Sequence, residues 1–414
     1  MKKLKVGVIG AGRGMSMMNY CKASDNAELV AICDKYAPIL EKAKQKLGTD
    51  GIAYYSDYDE FLNHDMDAVV LANYANEHAP FAIKAMEKGF DVMSEVLPCQ
   101  CLKEAVELIE TVERTGRKYC YLENYCYMPA PLEMKRLFRE GKVGEFRYGE
   151  GEYVHNCEPI WPDITYGERE HWRNRMYSTF YCTHSLGPII HISGLRPVSV
   201  TGFEAPYNDQ SYRIGSLFAS PGIEMVTLEN GAIVKSIHGH LYRDNIWYFV
   251  SGSKGAMESE RNITRNGEIA RIHVSYDENE GDYAPEIPVT YDPKQEDYRK
   301  ARPFGHGGSD YYAMLNAVNY ILGDDTADVI DVYEALDMFL PGLFAYFSIL
   351  DGGKPIDIPN LREQSVRDEY RNDVRCCDPK VAGDSLMPSN KNGNPDIPDA
   401  VYDAVRKKWQ DKQK

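Results

Sequence analysis

The sequence predicts an α/β chain in two parts: a doubly wound parallel sheet over residues 1–126, then an α+β domain with a mostly antiparallel sheet over 127–414. Short apolar runs alternate with stretches of helical period through the first 125 residues. A glycine-rich turn closes the first of those runs, and after Pro129 the texture changes to strand upon strand. Buried apolar strands separated by helices are the pattern of a parallel sheet covered on both faces. A chain of 414 residues has room for two separate cores.

Strands of the first part are expected at 4–9 (LKVGVI), 28–33 (ELVAIC), 67–72 (DAVVLA), 90–94 and 118–122, with helices over 38–47, 78–88 and 102–115. Helical period returns over 131–140. The run 198–258 alternates strand and turn signals, and its Glu229-Asn230-Gly231 step reads as a hairpin. Helices are expected over 309–323 and 331–351. Residues 352–398 are rich in Gly, Pro, Asp and Asn, so the segment 352–414 is expected to be an irregular tail that crosses back to the first domain or reaches a neighbouring subunit.

Hydrophobic residues make up 43% and charged residues 27%, as in ordinary globular domains. A formal charge of −16 argues against a nucleic-acid backbone as partner. Ten cysteines occur without a CxxC pair, several in apolar runs, which fits reduced thiols and a cytoplasmic protein. No apolar leader follows the N-terminal lysines, and no apolar run is expected to reach the roughly 20 residues of a membrane span. The 30 tyrosines suit carbohydrate contacts, or equally half-buried strand positions.

The turn Gly10-Ala-Gly12-Arg13-Gly14-Met15 follows a strand and opens a helix. The first glycine makes the turn, and the second lets a pyrophosphate approach the helix N-terminus. The usual third small residue would fall at Met15, with Gly14 one place early. Asp34 ends the second strand and can accept from both ribose hydroxyls of an adenosine, which favours NAD over NADP, with Lys35 as a neighbouring cation. This is the Rossmann dinucleotide pattern.

With these residues the chain resembles the Gfo/Idh/MocA superfamily of sugar oxidoreductases along nearly its whole length. The resemblance runs through the glycine turn, Asp34, the stretch from Ala72 to Pro80, Glu95, GKVGEF, Gly252 to Gly255 and GGKPIDIP. It implies that Arg13, Asn73, Asn76, His78 and Glu95 border the NAD. Two departures stand out. Family dehydrogenases carry Glu-Lys-Pro where this chain has Glu95-Val96-Leu97-Pro98, and the Asp-x-Gly-x-x-x-His motif is replaced by Phe180-Tyr181-Cys182-Thr183-His184-Ser185-Leu186-Gly187-Pro188. Both departures resemble the NAD-dependent glycosidase branch typified by bacterial α-N-acetylgalactosaminidases. That branch also has Leu-Glu-Asn and His-Trp-Arg triplets, matched by Leu122-Glu123-Asn124 and His171-Trp172-Arg173. Cys182 stands where the branch has proline. By this resemblance Glu95, Val96, Asn124 and Trp172 contact NAD, while Tyr153, Arg173 and the segment from Tyr181 to His184 contact a sugar.

Such enzymes oxidise C3 of the sugar, eliminate the anomeric substituent, add water and return the hydride. The chemistry needs two proton-transfer groups working near neutral pH. Tyr181 and His184, three residues apart, are the expected catalytic pair. The alternatives are a turn-capping role for His184 and mere packing for Tyr181. His306, flanked by glycines, is expected at the substrate, with Ser309 or Asp310 as plain helix caps in the other reading. Arg173 would fork onto sugar hydroxyls or pair with an acid. His155, His184, His238 and His240 raise a metal alternative, and no metal is assigned. A sugar or cyclitol dehydrogenase and a non-catalytic NAD sensor are the other readings. Self-association is expected, since an open sheet face is commonly covered by a second subunit.

Overall fold

In a computed structural model, described over residues 3–261, 270–276, 288–295 and 298–412, two sheets organise the chain. The first holds β1 (Leu4–Ile9), β2 (Ala27–Cys33), β3 (Ala53–Tyr55), β4 (Ala68–Leu71), β5 (Asp91–Ser94) and β6 (Tyr119–Tyr121). All are parallel, in the order β3-β2-β1-β4-β5-β6. The order reverses between β1 and β4, which opens a crevice at their carboxyl ends where such sheets take ligands. β4 is apolar throughout, and β1 is apolar but for Lys5 near its start, because helices cover both faces.

The second sheet holds β7 (Phe146–Val154), β8 (Pro197–Glu204), β9 (Gly222–Leu228), β10 (Ile233–Gly239), β11 (Asn245–Gly252), β12 (Gly255–Ser259), β13 (Ile272–Tyr276), β14 (Val289–Tyr291) and β15 (Ile356–Asp357). Their order is β14-β13-β12-β11-β7-β10-β9-β8-β15. Of these pairings only β7 with β10 is parallel. The expected hairpin joins β9 to β10, with Gly231 at φ +83°.

Two helices, Thr183–Ser193 and Val332–Leu350, lie on this sheet. The first seats closely because Gly151 of β7 has no side chain: a Cβ there would stand 1.8 Å from the Ser185 carbonyl oxygen. That close seating sets the height of His184 above the sheet. Val332–Leu350 is long and apolar enough to cross a membrane by length and composition, and 83% of its apolar window is buried in the core. This is the helix expected over 331–351, and it corrects the expectation that no apolar run reaches the length of a membrane span.

The expectation of an irregular tail is corrected. The tail contains β15, a helix over Gln364–Tyr370 and a 14-residue helix over Asp399–Lys412. It returns to the first domain, where Arg367 pairs bidentately with Glu113 (3.0 and 2.9 Å) and Arg371 with Glu110 (2.6 and 2.7 Å) on the Leu102–Thr115 helix. Its last helix packs Trp409 against Tyr166, ring centroids 5.4 Å apart. All ten cysteines are free thiols, nine of them buried.

Candidate active site

Gly10 takes φ +92°, and a Cβ on it would lie 2.2 Å from the Ala72 carbonyl oxygen, so only glycine turns the chain here. A Cβ on Gly14 would lie 2.5 Å from Gly10 O and 2.7 Å from Val8 Cγ1, so Gly14 is the glycine of helix–strand packing, which explains why Met15 need not be small. Gly12 differs from both. Only Ile39 comes within 4 Å of a Cβ there, at 3.8 Å, so its backbone opens onto the crevice. The Met15–Ala23 helix carries no acid in its first turn. An open backbone and an uncompensated helix N-terminus suit a pyrophosphate.

Asp34 accepts the Ala11 N–H on Oδ2 and the Tyr36 N–H on Oδ1, both at 2.8 Å, which aims the carboxylate along the crevice. Lys35 is drawn off to Glu77 at 2.8 Å and lies 4.5 Å over the Tyr74 ring. Asn73 donates to Glu77 at 3.2 Å. Asn76 is turned elsewhere than expected, donating to Asp378 of the tail at 3.2 Å. His78 is also corrected: it is buried, and its Nδ1–H donates to the Leu97 carbonyl at 2.9 Å, so it holds the Glu95–Leu97 turn from beneath. Burial pushes its pKa down to about 4, which keeps it neutral.

Arg13 joins the two domains. It forks onto Asp310 at 2.8 and 2.9 Å and reaches Glu95 at 2.5 Å. Burial alone would push the Asp310 carboxyl up, but Arg13 and His306 override it and hold it well below the usual range. Burial pushes Glu95 up, against the pull of Arg13. Asn124 donates to the same Asp310 at 3.1 Å, and His306 bonds it at 3.2 Å. Asp310 is therefore the hub of the site rather than a plain helix cap.

Most of the residues expected to meet substrate converge around His184. The Tyr125, Tyr153 and Tyr181 rings stand 4.7, 4.6 and 5.6 Å from its imidazole. Trp172 stacks on Tyr181 at 6.4 Å. The Arg173 guanidinium lies 4.5 Å over Trp172 and 5.4 Å over Tyr181, so it bears on the phenol as a cation and has no ion pair among the described residues. Burial raises the Tyr181 pKa, and Arg173 works against that rise. His306 stands at the edge, 6.3 Å from Tyr125. Thr183 is a correction: it is fully buried, and its Oγ1 donates to Glu123 at 2.7 Å instead of facing substrate.

Glu123, Tyr125 and His238 belong to this cluster and were missed by the sequence reading. Glu123 lay inside the Leu-Glu-Asn triplet, and its signal was only the label of its neighbour. His238, weighed before as a metal ligand, stacks between Tyr153 (5.7 Å) and Tyr181 (6.0 Å) and bonds the Ser178 carbonyl at 3.2 Å. Burial lowers its pKa to about 3. His155 bonds Asp244 and His240 bonds Ser211, so these histidines do not converge. No group of three or more His, Cys, Asp or Glu with metal-holding geometry occurs among the described residues. A cavity of about 460 Å³ lies beyond Trp172, lined by Tyr74, Asn76, Tyr177 and Cys377, and it shares neither Tyr181 nor His184.

The model of the oxidoreductase family with an NAD-binding Rossmann fold matches residues 4–123. Over those residues the chain is similar to the Gfo/Idh/MocA oxidoreductases. The glycine turn, Asp34 and the Glu95 turn lie within that NAD-binding match, and the open Gly12 backbone and the Asp34 carboxylate fit the cofactor. A glycosyl hydrolase family 109 protein of Streptomyces filamentosus is 26% identical over 405 residues, 86% of this chain and 77% of that protein. An alpha-N-acetylgalactosaminidase of Shewanella oneidensis is 32% identical over 201 residues, 46% of this chain and 44% of that protein. Among solved structures, an oxidoreductase from Agrobacterium radiobacter in complex with NAD+, L-tartaric acid and magnesium shares the fold. Its TM-score is 0.67 at 17% identity, over 86% of this chain and 98% of that one.

Proposed function

We propose that the protein is an NAD-dependent glycosidase that oxidises C3 of a sugar transiently, eliminates the anomeric substituent, adds water and restores the sugar. The observation that carries this reading is the placement of His184 and Tyr181, two proton-handling groups, beside a Glu95 turn whose position 96 is valine. The family's lysine, which serves simple alcohol oxidation, has no counterpart there. The likeness to a family 109 glycosyl hydrolase over 86% of this chain supports the same reading.

Bound NAD supplies the hydride acceptor and donor. The crevice residues hold and orient it: the open Gly12 backbone for the pyrophosphate, Asp34 for the adenosine ribose, and Glu95, Asn124 and Trp172 around the nicotinamide end. His184 accepts the proton released at the sugar hydroxyl. Tyr181, whose phenol burial pushes up while Arg173 works against that rise, serves the second proton at C2. Tyr153 and His306 flank the sugar. The buried aromatic walls limit water around both proton transfers. The substrate class is a glycoside, and the reading places the enzyme in the cytoplasm as a homo-oligomer.

The test is turnover of aryl glycosides by purified protein without added cofactor, before and after borohydride reduction of the bound nicotinamide. Cleavage that stops on reduction and returns on reoxidation supports the reading. Cleavage indifferent to reduction, or NADH formation without cleavage, contradicts it.

A further inference from the structure

Glu123 is fully buried, and every hydrogen bond it makes points to one arrangement of the proton on His184. It lies between β6 and the short turn Asn124–Tyr127, at the join of the two domains. Its Oε1 accepts the Tyr125 N–H at 3.2 Å and faces His184 Nδ1 at 2.7 Å, and its Oε2 accepts the Thr183 hydroxyl at 2.7 Å. A carboxylate only accepts, so the short contact with Nδ1 requires a proton on that nitrogen. His184 Nε2 makes no hydrogen bond to a described residue, so in the neutral ring it is left with its lone pair among the Tyr125, Tyr153 and Tyr181 rings.

The backbone is arranged for this contact. The Tyr248 hydroxyl donates to the His184 carbonyl at 2.5 Å and holds the first turn of the Thr183–Ser193 helix. Gly187, one turn further on, leaves room for the carboxylate: a Cβ there would stand 3.3 Å from Glu123 Cγ and 3.2 Å from Met338 Sδ.

We propose that Glu123 is a positioning residue that locks His184 in the Nδ1–H tautomer and thereby makes Nε2 the proton acceptor. The inference rests on the proposed glycosidase reading for what the acceptor does, and on geometry alone for the tautomer. In a neutral His184 the proton taken up at Nε2 comes from substrate, Nδ1 keeps its own, and the imidazolium formed is stabilised by Glu123 without proton transfer to it. Thr183 then serves by filling the other carboxylate oxygen, which explains why its hydroxyl is not available to sugar.

The experiment is nitrogen NMR on protein labelled with ¹⁵N-histidine, with His184 assigned by its loss in His184→Asn, together with kinetics of Glu123→Gln and Glu123→Asp. The proposal expects a protonated Nδ1 and an unprotonated Nε2 in the unaltered protein. In Glu123→Gln the amide oxygen keeps the Tyr125 N–H and the His184 Nδ1–H while the NH2 turns to the Thr183 hydroxyl, so the tautomer stays, but the charge that stabilises the imidazolium is lost and kcat falls on the order of 10³-fold, with KM changed less than about threefold. Glu123→Asp keeps the tautomer and recovers part of kcat. An Nε2–H tautomer in the unaltered protein overturns the proposal whether or not the variants fold. So does undiminished kcat in Glu123→Gln. Because the NMR needs no substrate, a failure of the glycosidase reading leaves the tautomer result standing on its own.

Discussion

Arg13 of the glycine turn and Asp310 at the head of the Ser309–Ile321 helix meet in a two-pronged ion pair, 2.8 and 2.9 Å, and so join segments 297 positions apart. Removing one partner leaves a buried charge without compensation. Arg13→Met is expected to lower unfolding free energy by about 3 kcal/mol in urea titration. It should also weaken NADH binding, measured by nicotinamide fluorescence. The depressed Asp310 pKa gives a sign: its stabilisation is present above the ordinary carboxylate range and is lost as pH falls below about 4. Asp310→Asn should therefore flatten the acid limb of the stability curve.

Glu224 shows the opposite sign. It is fully buried beside Ser236 and Cys182, and burial, against the pull of these neighbours, raises its pKa to about 8. The folded state keeps its proton after the unfolded chain has lost it, so stability falls as pH rises from about 4.5 through 8. Glu224→Gln should leave Tm near that of the unaltered protein at pH 4.5 and raise it at pH 9, by scanning calorimetry. An equal shift at both pH values would show that the carboxyl does not titrate with folding.

Asp34 already holds two backbone N–H groups and has lone pairs left for ribose. Asp34→Asn keeps the size and removes the charge. Hydrogen bonds to charged groups contribute roughly 1.5–3 kcal/mol, so NADH affinity should fall about tenfold or more. A truncated NMN probe, lacking the adenosine, should bind both proteins alike.

His184→Asn and Tyr181→Phe should each lower kcat by about 10²–10⁴-fold while Tm moves little. The double variant should lose scarcely more than the worse single one, because the two groups serve one sequence of proton transfers. Additive losses would assign them to independent tasks.

The parallel sheet was legible because its strands are continuous apolar runs ending at glycine or aspartate, and periodicity reads such runs directly. The glycine turn was legible for the same reason: the positive φ of Gly10 and the close packing at Gly14 fix its residue types. The residues missed are those whose role is set by contacts between distant segments. Glu123 meets His184 across 61 positions, and Asp310 meets Arg13 across 297. Composition misled at the tail. Its Gly, Pro, Asp and Asn suggested irregular chain, yet Arg367 and Arg371 anchor it to the first domain and its last helix packs on Tyr166. Thr183 was misjudged because its neighbours face the cleft, while the helical turn points its hydroxyl down to Glu123.

The central claim is hydrolysis through a transient ketone, and deuterium at C2 reports it most directly. Purified protein would be incubated in D2O with a panel of α- and β-aryl glycosides and no added cofactor, and the product sugar analysed by NMR. The account predicts aglycone release, deuterium at C2 and no net NADH. Aglycone release with protium retained at C2, or NADH accumulating with a free sugar and no bond cleavage, would contradict it.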